Sequence, residues 1–503
     1  MINKNSYFLI FILFIVVLIV VLLFNADLHY DSSDSAATTA AITRRVEQPH
    51  YDGQEGIIAL VEDEFSDPDV VRTISQTLSF LQYSFNSYGC IDEVDGADIA
   101  IFTTPNLTDE DVHNAQEFLR GGGNVIFAVL PPVINEYLME LLEIVEFTPE
   151  YMIRGFDIYE GVLLGGMFSA NEIGFACAGV RLSDDCRVFA SGHGLFGGRN
   201  PIIWSTDYSY GTVFAVNAPF MKDAGGAGIL TGILAELYED FIYPIVGTRS
   251  FLLNNFPYLD DNVIISSRTS YAFSRDIMWP DLFAIARRTG ISYSSLVNEG
   301  FLSSADSHAA REFFSRELRK ANSGELIYDL QGGTGAAIAE TWNADSFTWA
   351  NDHTVKLPVI SSGDTMQELS HFRFISVLSA MGIVIHELDF SAVFSGEVLW
   401  NEHSRDVASN FALLSDSSSF LAPVSLMDTS QAVNRFLNID MGVSRHQNML
   451  SVNLYDPYDE TLFILRTQRE IDFRRSDFCE IKILEENVYL IRTTESAFSI
   501  RFR

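Results

Sequence analysis

Hydrophobic positions fall into four regimes along this chain. Residues 7–24, YFLIFILFIVVLIVVLLF, are continuously apolar. Residues 25–54 are rich in Ser, Ala, Thr and Asp with no apolar period, the composition of a tether. From Gly56 onward, short apolar runs alternate with amphipathic stretches. GIIALV (56–61), ADIAIFTTP (97–105) and NVIFAVLPP (124–132) read as buried strands. Between them, Asp67-Pro68 opens a helix on which Val71, Ile74, Leu78 and Leu81 recur at helical spacing. Thr108 and Asp111 have the spacing of a capping box, and Gly121 stops that second helix. YGTVFAVNAPFM (210–221) and an apolar helix over 228–242 complete a block at 55–246. Strands alternating with helices predict a parallel sheet.

A second αβ block covers 247–430. Helices at 281–289, 307–321 and 365–381 alternate with strands at 291–297, 325–330, 357–361 and 383–388, and Gly290 and Gly382 stand where helix-stopping glycines belong. Repeated βα units predict a distorted (β/α) barrel, with chemistry at the C-terminal ends of its strands. After residue 430 the period changes to two. MLSVNLYD, TLFILRTQ, CEIKILEE, VYLIRTT and FSIRFR predict an antiparallel β-sandwich over 431–503.

The 7–24 run is long enough to span a bilayer, which takes about 20 apolar residues. Lys4 precedes it, and Asp27, Asp31 and Asp34 follow. The positive-inside rule then predicts a transmembrane anchor at 1–24, a tether at 25–54, and a single-pass protein of the cell membrane whose bulk is extracytoplasmic. Cleavage near the Ala-rich stretch 36–41 is the alternative.

The net charge of -35 makes nucleic acid a poor partner, because phosphate binding needs Lys and Arg to displace counterions. The four cysteines, Cys90, Cys177, Cys186 and Cys479, are too few for a disulfide scaffold and form no zinc-type cluster.

The first block, with its strand, Tyr210-Gly211, strand, Asn217 ending, resembles the class I glutamine-amidotransferase-like fold, a flavodoxin-type sheet. That family carries a cysteine on a strand-to-helix elbow and a downstream histidine. Here the third strand runs into Pro131-Pro132, Cys90 lies before an acidic loop, and His193 has no evident nucleophile. The block therefore reads as catalytically empty.

FLLNNFPYLDDN (251–262) and GIVIHELDFSAVF (382–394) make the second block resemble the NodB-type polysaccharide deacetylases. The domain order is similar to that of membrane-anchored deacetylase-like proteins associated with Pel-type exopolysaccharide machinery. The resemblance implies a divalent metal, zinc first, that polarises an acetamide carbonyl and activates water. It implies Asp260 as general base and Asp261, His386 and Asp389 as metal ligands, Asp389 standing where the family has a second histidine. In a second register Asn254-Asn255 occupies the acid positions, and Asp260-Asp261 is an acidic turn. An amide cannot act as a carboxylate base. Trp400 and Trp342 suit stacking on sugar rings, and His371 is a further candidate for substrate contact. The expected function is an extracytoplasmic, membrane-anchored polysaccharide deacetylase-like protein acting in exopolysaccharide modification or export. The alternative is a catalytically degenerate glycan-binding or scaffold protein of an exopolysaccharide synthase complex.

Overall fold

The structure is a computed structural model, and it describes residues 57–94, 96–328, 336–339, 346–351, 354–455 and 460–503. The chain divides into two units, Met1–Asp52 and Gly53–Arg503. The runs 7–24 and 25–54 lie outside the described residues, as do Trp342 and His353. Two expectations about the N-terminus are corrected. Among the described residues no helix is long and apolar enough to cross a membrane. The longest of them, Trp400–Ser417, carries Glu402, Arg405, Asp406 and Asp416 and buries one face. The described helices therefore do not support the expected transmembrane helix or the single-pass membrane location.

The first block builds one ten-stranded sheet. Its parallel part runs in the order Phe85–Tyr88, Ile57–Val61, Ala97–Phe102, Asn124–Phe127 and Gly211–Val216. Antiparallel strands Arg199–Tyr208, Arg187–Gly194 and Ile144–Ile158 extend it. Asp67 caps the helix Pro68–Phe80, and Thr108 and Asp111 close a reciprocal capping box on Asp109–Arg120.

The apolar stretch predicted as a helix over 228–242 divides in two. Gly225–Leu237 is helical, and Asp240–Ile245 is a strand with every residue buried. The physical reason is the aromatic and β-branched run Phe241-Ile242-Tyr243, with Pro244 excluding a continued helix. This strand pairs antiparallel with Thr461–Thr467 and so joins the C-terminal sheets. There, a four-stranded and a three-stranded antiparallel sheet enclose Ile242, Val452, Phe463, Ile491 and Phe498 in a common core.

The second block is a parallel sheet in the order Glu325–Ile327, Tyr293–Leu296, Thr248–Asn254, Ile383–Asp389 and Ser361–Ser362. Among the described residues this path is open and has two edges, so the expected barrel gives way to a mixed α/β architecture of several sheets. Gly382 ends the helix Glu368–Met381 at φ 55°, and a Cβ there would meet Ile245 at 2.8 Å.

The two blocks share a core. Helix Gly225–Leu237 lies against helix Glu368–Met381, and a Cβ on Gly228 would meet Ser376 at 2.6 Å, so only glycine allows this approach. Ser376 Oγ accepts from Gly228 N at 2.7 Å, and Ser379 Oγ from Leu164 N at 2.8 Å.

Candidate functional site

In an open parallel sheet, side chains at the carboxyl ends of strands face a common crevice. Thr248–Asn254 is the central strand here, and Asn254 is its last residue. Asn254 pairs in register with Asp389 on the neighbouring strand. Asn255 follows in the left-handed region at φ 55°, which Asn tolerates better than most residues.

The amides are tied to acids. Asn254 Nδ2 donates to Glu387 Oε1 at 2.9 Å, and Asn255 Nδ2 donates to Asp389 Oδ1 at 3.0 Å and to Ser391 Oγ at 2.8 Å. Asp389 Oδ1 also accepts from Ser391 N at 2.8 Å and Ser391 Oγ at 2.7 Å. Partial burial raises the Asp389 pKa, but the donations from Asn255 and Ser391 outweigh it. The carboxyl therefore sits below its ordinary range and is ionised. Glu387, Asp389 and Ser391 recur at every second position, a spacing that keeps Glu387 and Asp389 on one face of their strand.

Asp260 and Asp261 lie elsewhere, in the loop after the strand. Asp260 Oδ1 accepts from Asn262 N at 2.8 Å, and Ser270 Oγ donates to the Asp260 carbonyl at 3.1 Å. Asp261 Oδ1 accepts from Ser304 Oγ at 2.6 Å, and Oδ2 from Ala305 N at 3.2 Å. The Ser304 hydrogen bond, and then that of Ala305, lower the Asp261 pKa. These acids close a turn and fasten it to the next loop.

His386 stands an odd number of residues from Asp389 and so points to the opposite face of the strand. It is fully buried, pairs in register with Phe251, and packs its ring against Phe411 at 5.4 Å. Its Nδ1 lies 2.9 Å from Ser361 Oγ, and burial lowers its pKa to about 4. The donor set implied for a metal thus does not converge: Asp261 is spent on a loop contact, and His386 and Asp389 face opposite ways. Among the described residues no three His, Cys, Asp or Glu side chains are grouped to hold an ion. The residues present do not fit the implied metal.

Trp400 is buried, donates from Nε1 to Asp281 Oδ2 at 2.9 Å and packs on Phe390, so its ring faces are not open to a sugar. His371 is half-buried on helix Glu368–Met381 and packs on Phe168 at 5.4 Å, at the joint between the blocks. Burial lowers its pKa. His403 lies on helix Trp400–Ser417, 7% exposed, with Nδ1 2.8 Å from Asp364 Oδ2. That is an ion-pair distance without the alignment of a hydrogen bond. No sequence spacing links Asp364 to His403. The signal for Asn254-Asn255 was present, as the alternative register.

In the first block, Asp92 first and burial second push the Cys90 thiol up to about 11, which disfavours a nucleophilic thiolate. His193 Nε2 lies 2.8 Å from Asp157 Oδ2, but Ser169 Oγ donates to Asp157 and not to the imidazole. The pattern staples antiparallel strands and is not a nucleophile–base relay.

Residues 195–330 match a family described as an uncharacterised protein conserved in bacteria (DUF2194). No curated protein matches the chain. Among solved structures, a ThuA-like protein from Bacteroides uniformis is 11% identical, with 38% of this chain and 95% of that chain covered at a TM-score of 0.28. A cold-adapted β-galactosidase from Rahnella is 16% identical, with 38% of this chain and 34% of that chain covered at a TM-score of 0.27. A catalytic mutant of a GH42 β-galactosidase from G. stearothermophilus is 7% identical, with 90% of this chain and 41% of that chain covered at a TM-score of 0.28. This chain spans well under half the length of either galactosidase. Likenesses at these TM-scores carry no argument about fold or activity.

Proposed function

We propose that this chain binds a glycan at the carboxyl edge of the second block's parallel sheet without hydrolysing it, as a non-catalytic partner in exopolysaccharide processing. One observation carries the reading: the amide pair Asn254-Asn255, not the acid pair, ends the central strand beside Asp389. A deacetylase needs a carboxylate base next to a metal-bound water. Asparagine supplies neither base nor anionic ligand. What the mouth does supply is hydrogen-bonding capacity: two amides, the carboxylates of Glu387 and Asp389, and the Ser391 hydroxyl, within half-exposed to exposed side chains. Sugar hydroxyls and acetamides are complementary to such groups.

The test is calorimetric titration of the full chain with N-acetylglucosamine oligomers, alongside an acetate-release assay with added zinc. Binding without acetate release is expected, and Asn255→Ala should weaken it about three- to tenfold, the value of one or two hydrogen bonds. Acetate released with turnover, and abolished by Asp260→Asn, would return the chain to the enzymes.

A further inference from the structure

The four-stranded C-terminal sheet ends unequally. One outer strand, Asp240–Ile245, has every residue buried. The other, Glu480–Glu485, exposes Glu480, Lys482 and Ile483, the last at 60%. Among the described residues it pairs on one side only, with Val488–Thr493, and no backbone hydrogen bond leaves its outer side. Phe478, 70% exposed, precedes it. Half-exposed Phe473 packs on Tyr489, which stands opposite Ile483 in register. An open edge flanked by exposed apolar side chains is a template for another strand.

Register fixes which backbone groups point outward. Thr467 N donates to the Asn487 carbonyl at 3.0 Å, so positions 467 and 487 form a hydrogen-bonded pair. Alternation along that ladder turns the backbone groups of Leu490 and Arg492 toward the edge strand, where they meet Lys482 and Glu480. The N–H and C=O of Ile481 and Ile483 therefore point away from the sheet. The far end of the strand is engaged: its pairing shifts between Ile483 and Glu485, and Glu485 Oε1 accepts from Gly165 N at 2.6 Å. The free edge is centred on Ile481.

A copy of this strand laid antiparallel about Ile481 satisfies both the backbone and the charges. Ile481 then lies opposite Ile481, and each Lys482 lies opposite Glu480 of the second copy. These charged positions form the non-hydrogen-bonded pairs of the new ladder, where side chains come closest. Glu480 stands 4.0 Å from Arg492, which Glu460 already holds, so its charge is not spent. Centring on Glu480 or Lys482 would set like charges against each other, and centring on Ile483 would run into the shifted register. Residues 431–503 carry ten Lys and Arg against eleven Asp and Glu, in a chain with 32 against 67, so two copies repel least through this part.

We propose that two copies of this chain associate through this edge, the strand pairing with itself about a two-fold axis so that two four-stranded sheets become one.

Sedimentation equilibrium of the full chain at micromolar concentrations and about 0.15 M salt tests this. A monomer–dimer equilibrium is expected. Lys482→Glu sets like charges at both symmetric pairs and should weaken the dimer about tenfold. Adding Glu480→Lys reverses both charges and should restore the dimer to within about threefold. Both residues are exposed, so neither change disturbs the core. Ile483→Lys, also at an exposed position, should give monomers by placing a second lysine on the edge. A monomer at every concentration overturns the proposal. So does a dimer that these variants leave unchanged, or one that Lys482→Glu weakens and the double variant fails to restore.

Discussion

His386 shows how one residue's surroundings reverse its meaning. Beside a strand end it suits a metal ligand. In the fold it is a core side chain, wedged between Phe251 and Phe411 with Ser361 on Nδ1. Burial pushes its pKa from the ordinary 6.5 to about 4. Between those values the unfolded chain takes up a proton that the folded chain refuses. The stability that neutral His386 supplies is therefore complete above about pH 6.5 and is lost as pH falls toward 4. The slope is at most about 1.4 kcal/mol per pH unit. Urea denaturation across this window should show that slope, and His386→Gln should flatten it. An unchanged slope in the variant would assign the acid sensitivity to other groups.

At the scale of elements, the strand Asp240–Ile245 carries the connection between the αβ blocks and the C-terminal sheets. Asp240 is completely buried. Its Oδ1 accepts from Thr467 Oγ1 at 2.6 Å, and its Oδ2 accepts from Arg469 Nη1 at 3.0 Å. Arg445 donates to the Asp240 carbonyl, and burial lowers its pKa to about 10. Removing the carboxylate strands guanidinium charge in a low-dielectric site. Asp240→Asn should destabilise the protein by about 3–5 kcal/mol in chemical denaturation, the range for one partner removed from a buried pair. A loss below about 1 kcal/mol would mean that solvent reaches these arginines.

For the molecule as a whole, one apolar core runs from Ile58 in the first sheet through Phe251 and Phe372 to Leu490 in the last strands. Phe156, Phe220 and Phe372 meet across the block boundary with ring centroids 5.0–5.3 Å apart. Blocks that share a core lose contacts together. Residues 57–503 should unfold in one transition, with far-ultraviolet dichroism and tryptophan fluorescence coincident, since Trp204 reports on the first block and Trp279 on the second. Two separated transitions would show that the blocks are independently stable.

Local rules determined much of this protein. Periodicity and capping residues located Pro68–Phe80, Asp109–Arg120, Ser307–Lys320 and the period-two strands after residue 440, because those signals act within a few residues of chain. The ambiguity between Asn254-Asn255 and Asp260-Asp261 was also visible in the sequence, as two registers a few residues apart. Only tertiary structure resolved it, by pairing Asn254 with Asp389 and drawing Asp261 to Ser304. The recruitment of Asp240–Ile245 as a strand of a distant sheet, the burial of His386 and the approach of Asp364 to His403 were likewise decided by partners far along the chain. Strand pairing and side-chain facing depend on neighbours that no local pattern names, and it is there that a metal-ligand motif became a core histidine and a turn.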